Sequence, residues 1–344
     1  MKKVAIRAAG GYDRLELVTA PDLRCGTSDV LIDVKFAGVN YADCCVRLGV
    51  YESAKRYVGF PITPGFEVSG IVAAVGRDVT KFKAGDHVIG FTLFNGYASQ
   101  AVIKEAHVLA LPKSFSLEQG AGFPAVFMTA YYALKQVCYI YPRSSILVHS
   151  VAGGVGTALT QVARSMDIEV VGIVGSRSKV QYAESIGVSK VYDKSDPAFK
   201  WEQIRDDYPR GFDAVFDANG YTTNKISYEL LRPTGKLVLY GSHSLIPKTG
   251  GRLNYFKAAW GLLKTPKYDP LKMITDNKSV VCLNVSFLFD EAERVNENVE
   301  GLQRLLEKGH LNPPFTKSFP IENVADAHKH IESGLSVGKI VLKF

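Results

Sequence analysis

The segment Ile146-Leu147-Val148-His149-Ser150-Val151-Ala152-Gly153-Gly154-Val155-Gly156 restricts this chain more than any other. An apolar run passes into a glycine turn. Val155, Ala158, Leu159, Val162, Ala163 and Met166 then recur on one helical face. Strand, turn and helix in that order open a βαβ unit. Ile146–His149, Val170–Val174, Lys190–Tyr192, Ala214–Asp217, Lys236–Tyr240 and Val280–Val285 read as strands. Between the second and third of these, Val180, Ala183 and Ile186 mark a helix, and Gly187 stands where a C-cap glycine belongs. Six strands joined by helical crossovers imply an α/β fold with a parallel, doubly wound sheet.

The turn carries chemistry as well as shape. Gly153 lets the backbone approach a pyrophosphate, and Gly156 lets helix and strand pack closely. With Gly154 and Val155 they open a helix whose first N–H groups lack partners and carry partial positive charge. A glycine turn that binds nothing is the alternative, but a strand before and an amphipathic helix after favour a dinucleotide. Val151 replaces the first glycine of the usual pattern, so the backbone there must avoid positive φ. The end of the second strand selects among dinucleotides. Gly175-Ser176-Arg177-Ser178-Lys179 has no carboxylate to accept from a ribose 2′-hydroxyl. Arg177 and Lys179 would instead pair with a 2′-phosphate, and Ser176 could donate to it. A solvated basic loop is the competing view; the spacing points to NADPH rather than NADH.

The first third of the chain has a different rhythm, with short strands such as Val30–Val34 and His87–Ile89 punctuated by Gly38, Gly65, Gly76 and Gly85. A helix is expected over Ala292–Lys308, and short strands return at the end, with Gly338–Leu342 last. We therefore expect a nucleotide-binding domain over 124–289 inserted between two parts of a β-rich domain, 1–123 and 290–344. The 41 Lys and Arg against 34 Asp and Glu make the chain mildly basic, without the clustered run of a nucleic-acid arm. No nucleic-acid partner is expected. Five cysteines, of which only Cys44-Cys45 are close in sequence and none form a C-x-x-C, suggest neither a disulfide framework nor a zinc knuckle. Together with Met1-Lys2-Lys3 leading straight into Val4-Ala5-Ile6, this suggests a reducing, cytoplasmic setting.

These motifs in this order resemble the zeta-crystallin-like quinone oxidoreductases of the medium-chain dehydrogenase/reductase superfamily. Val148–Gly156 with Gln161 is similar to their cofactor signature, and Gly38-Val39-Asn40-Tyr41-Ala42-Asp43 with Arg47-Leu48-Gly49-Val50-Tyr51 to their substrate-side motif. Thr63–Gly70, Ala84–Val88 and Val337-Gly338-Lys339 complete a match over nearly the whole chain. Leu245-Ile246-Pro247-Lys248 and the aromatic, basic stretch after it resemble the vesicle-amine-transport-protein-like branch. The resemblance implies a GroES-like β-rich catalytic domain plus a Rossmann domain of strand order 3-2-1-4-5-6. It implies a homodimer paired through the edge strand Val280–Val285. It places Asn40 and Thr129 near the nicotinamide, Tyr51 in the active site and Tyr192 near the adenosine 2′-phosphate. Asn219, Tyr240, Gly241 and Ser242 fall on loops at strand C-termini, where a dinucleotide lies. Two departures stand out: Cys45 replaces a second tyrosine found in some members, and Arg143-Ser144 a Gly-acid pair.

Catalytic zinc is not expected. Where related alcohol dehydrogenases carry G-H-E, this chain has Gly65-Phe66-Glu67, and phenylalanine cannot ligate. Without a Lewis acid, the natural hydride acceptors are small electrophiles: quinones or α,β-unsaturated carbonyls. Tyr51 is the candidate donor to the developing oxyanion, or else a packed aromatic whose hydroxyl is bonded elsewhere. The other function considered is an NADPH-binding regulatory or membrane-associated protein with little turnover. It draws on Arg252–Lys272, where Leu253, Phe256, Trp260 and Leu263 form an apolar stripe beside basic residues. We expect this segment to be a mobile lid at the cleft entrance; packing at a boundary and peripheral membrane contact are the other readings.

Overall fold

A computed structural model describes residues 1–344. The strands in chain order are β1 (Lys2–Ala5), β2 (Glu16–Thr19), β3 (Asp29–Val39), β4 (Glu67–Val75), β5 (His87–Phe91), β6 (Gln100–Lys104) and β7 (Val108–Ala110). Next come β8 (Ser145–His149), β9 (Glu169–Val174), β10 (Lys190–Asp193), β11 (Phe212–Asp217), β12 (Leu231–Leu239) and β13 (Ser279–Cys282). The chain ends with β14 (Thr316–Pro320) and β15 (Lys339–Lys343). Two compact units result. One comprises Met1–Met128, Lys248–Leu253 and Ser286–Phe344; the other Thr129–Pro247 and Asn254–Val285.

The second unit is built on a six-stranded sheet ordered β10-β9-β8-β11-β12-β13, with every pairing parallel. This is the doubly wound order 3-2-1-4-5-6. Its central strands read as apolar runs because crossovers cover both faces. Leu147, Val171, Ile173, Phe212, Val215 and Leu237 are fully buried within one cluster. The helix after β8, Gly154–Arg164, is buried from Gly156 to Ala163. The edge strand β13 ends at Cys282, shorter than the expected Val280–Val285, and a 3₁₀ turn runs Val285–Asp290.

The first unit is a seven-stranded sheet in which β3 pairs with β15, β4 and β6, and β5 joins β4 to β7. Val30, Ile32, Val34, Val68, Val88 and Leu342 fill its core. Helix Tyr41–Arg47 starts directly from the end of β3. Asn40 caps it with extended backbone, and the Asp43 carboxylate accepts the Asn40 N–H at 2.8 Å. Ala292–Glu307 is helical as expected, with Lys308 at its cap. A helix over Val324–Glu332 stands between the final strands.

The segment 252–272 holds one short helix and the start of a second. The first begins at Tyr255, capped by Asn254, and ends at Lys264; Pro270–Asp276 is the second. Leu253 precedes the first, and Pro266 lies in the break, where it cannot extend a helical ladder. The apolar stripe is not packed. Phe256 is 91% exposed, Leu263 80% and Trp260 58%.

Candidate functional site: a cofactor loop cluster and a clamped asparagine

In the second unit, five loops follow the carboxyl ends of parallel strands, where open α/β sheets bind ligands. After β8, Ser150 takes the left-handed conformation, with φ +52°. The positive φ that Val151 cannot adopt has moved back one residue, and Val151 is buried under β9 with its N–H on the Ile173 carbonyl. Gly153 caps the helix. A Cβ on Gly156 would stand 2.5 Å from both Val151 Cα and its carbonyl oxygen. Only glycine lets the helix sit this close to the strand. The half-buried N-terminal turn Gly153-Gly154-Val155 fits a pyrophosphate.

After β9, Gly175 leads to extended Ser176 and a 3₁₀ turn, Arg177–Lys179. Ser176 and Ser178 hydroxyls hydrogen-bond at 2.6 Å. Burial and the neighbouring Lys194 hold the Lys179 ammonium below its ordinary range, so cationic groups converge here with no acid in the loop. Tyr192, on β10, is buried, and its hydroxyl donates to Asp207 at 2.5 Å.

A buried polar network joins β8 and β11. Asn219 Nδ2 lies 3.1 Å from His149 Nδ1, and His149 Nε2 lies 2.9 Å from Ser227 Oγ, which donates to Asp217. Burial keeps His149 below its ordinary pKa, neutral at Nδ1 toward the asparagine and protonated at Nε2 toward the serine. His149 is thus a fully bonded core residue that also aims Asn219. Tyr240, Gly241 and Ser242 follow β12; a Cβ on Gly241 would meet the Ala218 carbonyl at 3.0 Å. Burial pushes the Tyr240 phenol up, keeping it a donor.

In the first unit, Asn40, Glu67 and Lys339 form a compact cluster that sequence reasoning did not assemble. The Glu67 carboxylate accepts from Asn40 Nδ2 at 2.8 Å and Lys339 Nζ at 2.7 Å on one oxygen, and from the Ala125 N–H at 2.7 Å on the other. Lys339 also donates to Asn40 Oδ1 at 2.7 Å and the Val39 carbonyl at 3.0 Å. Both charged side chains are essentially buried. Nearby, burial lifts the Asp43 carboxyl to about 7 although Asn40 N–H, Gly65 N–H and the Tyr97 hydroxyl donate to it.

Tyr51 caps helix Glu52–Tyr57. Its ring stands edge-on to Phe66 at 5.8 Å, and its hydroxyl lies 2.7 Å from Ser286 Oγ. Burial pushes its pKa up to about 12, so it stays a proton carrier at neutral pH. Phe66 fills the place of a ligating histidine with a ring packed against Tyr51 and Phe94. Nowhere do three or more His, Cys, Asp or Glu side chains gather as a metal cluster. Thr129 lies on helix Pro124–Tyr131. Arg143 adopts φ +64°, a backbone glycine would take more easily, at the position of the noted departure.

A strand-paired β-rich unit and a parallel dinucleotide-type sheet define a two-part dehydrogenase architecture. Residues 26–130 match the alcohol dehydrogenase GroES-like domain and residues 186–342 the zinc-binding dehydrogenase model. The chain is 31% identical to a synaptic vesicle membrane protein VAT-1 homolog of Danio rerio, over 99% of this chain and 69% of that one. It is 27% identical to a human quinone oxidoreductase, over 99% and 97%. A mycobacterial protein solved in complex with NADPH superimposes with a TM-score of 0.83 at 25% identity, each chain covered completely. The chain belongs to the medium-chain dehydrogenase/reductase superfamily, in its VAT-1-like branch.

Proposed function

We propose that this protein is an NADPH-dependent reductase of quinones or α,β-unsaturated carbonyls that works without zinc. The acid-free loop after β9, with Arg177 and Lys179 beside the glycine-capped helix, carries this reading. The relatives named as a quinone oxidoreductase and solved with NADPH support it. Gly153–Gly156 would hold the pyrophosphate, and Ser176, Arg177 and Lys179 the 2′-phosphate, while the Tyr192 hydroxyl stays on Asp207. Thr129, Asn219, Tyr240, Gly241 and Ser242 of the second unit would line the nicotinamide end, and the family resemblance assigns Asn40 of the first unit to the nicotinamide as well. Bound there, NADPH supplies the hydride. Tyr51 would donate a hydrogen bond to the substrate oxygen as negative charge develops on it, its proton kept in place by its raised pKa.

The residues at the position of the dehydrogenase metal do not fit zinc. Phe66 offers no lone pair, and Glu67 is consumed by Lys339, Asn40 and a backbone amide. A panel of quinones and enones should therefore yield NADPH-dependent turnover that survives strong chelators, on protein containing far less than one zinc per chain. Turnover that tracks bound zinc would overturn this assignment.

The exposed helix Tyr255–Lys264 favours a second property, peripheral contact with anionic membrane. Phe256, Trp260, Leu262 and Leu263 are exposed beside Lys257 and Lys264, and Lys264 sits 5.0 Å from the Trp260 ring centre. Aromatic and aliphatic groups interleaved with lysines, with no acid from Tyr255 to Tyr268, are what an anionic interface attracts. No helix is long and apolar enough to cross a membrane. Binding to phosphatidylserine vesicles at low salt should fall at least tenfold in Phe256→Asp/Trp260→Asp, with phosphatidylcholine vesicles bound weakly throughout. Equal binding by wild type and variant would reject the contact, and a shift from dimer to monomer in the variant would assign the stripe to a second copy.

A further inference from the structure

We infer that Lys339 and Glu67 are positioning residues that lock the carboxamide of Asn40 in one orientation, so that the amide hydrogen it offers a ligand is held in a fixed place. The inference rests on the proposed placement of Asn40 beside the nicotinamide. An asparagine side chain at the rim of a binding site is normally free to turn over, exchanging its oxygen and nitrogen. Here it is not. Lys339 Nζ approaches Oδ1 at 2.7 Å, and Glu67 accepts from Nδ2 at 2.8 Å. Turning the amide over would set its nitrogen against the ammonium and its oxygen against the carboxylate. With Oδ1 held by the cation and one Nδ2 hydrogen by the carboxylate, the second Nδ2 hydrogen is left as a donor of fixed direction for a ligand. Its natural partner is a carbonyl oxygen or a developing oxyanion.

The local backbone is shaped around this clamp. Gly38 lies opposite Glu67 across the β3–β4 pairing, and a Cβ there would stand 2.2 Å from Glu67 Oε1 and 2.4 Å from the Ala121 carbonyl. Any side chain at 38 would block the carboxylate from reaching Asn40. Gly122 gives way to Lys339 similarly, with a Cβ there meeting Lys339 Cβ at 3.0 Å. Lys339 spends its three donors on Val39, Asn40 and Glu67, and the remaining Glu67 oxygen holds the Ala125 N–H at 2.7 Å. Both side chains are essentially buried, so neither reaches a ligand of its own. The pair acts through Asn40.

Two measurements on the full-length protein test this. The first is a double-mutant cycle in steady-state turnover with NADPH and whichever quinone or enone is reduced. Asn40→Ala should lower kcat by roughly tenfold or more. Lys339→Met/Glu67→Gln, which removes both charges together, should lower it by a similar factor. Adding Asn40→Ala to that pair should cost little more, because the pair works only through the asparagine. Losses that multiply would show a separate structural role and overturn the inference. The second follows the Asn40 side-chain amide by NMR in asparagine-labelled protein without cofactor. Its two protons should be slowly exchanging in wild type and should shift and exchange faster in Lys339→Met/Glu67→Gln. An amide signal unchanged by the double substitution would overturn the clamp whatever the kinetics. If the amide responds but Asn40→Ala turns over normally, the clamp stands and Asn40's place beside the nicotinamide falls.

Discussion

Replacing both Arg177 and Lys179 with alanine should weaken NADPH binding by about a hundredfold or more while leaving NADH affinity within roughly twofold. Each charge-assisted bond to a phosphate contributes about 1.5–3 kcal/mol, and about 1.4 kcal/mol is a factor of ten. The local electrostatics favour the upper part of that range. Lys179 is partly desolvated and pushed down by Lys194, so a dianion entering the loop relieves repulsion that the empty loop carries. NADH lacks the 2′-phosphate and gains nothing from these groups. Calorimetric titration of both cofactors against wild type and double variant checks this. Parallel losses for the two cofactors would move the phosphate elsewhere.

Arg47→Met should destabilise the first unit by roughly 3–5 kcal/mol, the usual consequence of leaving one member of a buried ion pair alone. Arg47 and Glu332 are both fully buried, joined at 2.7 Å. The Tyr12 hydroxyl donates to the other Glu332 oxygen at 2.5 Å, and the Arg47 guanidinium lies 4.4 Å from the centre of the Tyr12 ring. Arg47 also holds the Gly251 carbonyl at 3.2 Å, drawing Lys248–Leu253 onto this unit. Removing the cation strands a carboxylate where water cannot reach it. Adding Glu332→Leu should recover most of the loss, because the stranded charge accounts for most of it. Denaturant unfolding of the three proteins, followed by a probe in this unit, measures both effects. A single variant as stable as wild type would show that the pair is not buried in solution.

Much of this architecture is legible in the sequence because it is local. The central parallel strands announce themselves as apolar runs, and the helix after β8 as an amphipathic repeat. The acid-free loop after β9 reads directly as a charge pattern. Local signals mislead where backbone geometry intervenes. The stripe Leu253–Leu263 has helical spacing, yet the helix begins only at Tyr255, and Pro266 ends the possibility of a single long one. The residue displaced into positive φ by Val151 is Ser150, which nothing in its own identity marks. The clamp is illegible for a different reason. Glu67 and Lys339 meet only because β4 and β15 flank β3, and a contact between residues 272 positions apart depends on sheet order. Gly38 was the available signal: a glycine inside a strand often marks a close approach by something else. The role of His149 is hidden similarly, since Asn219, Ser227 and Asp217 reach it from the far side of a crossover.

Hydride transfer from NADPH to an electron-poor carbon without a metal leaves an isotopic signature. Single-turnover reduction of an enone, with NADPH deuterated separately at each face of the nicotinamide C4 position, tests it most directly by mass spectrometry of the product. The product should carry one deuterium at the β-carbon, delivered from one face only, on zinc-free protein, with the transfer strongly slowed in Asn40→Ala. Product without deuterium from either labelled form, or no product from any enone or quinone while NADPH remains bound, would contradict it.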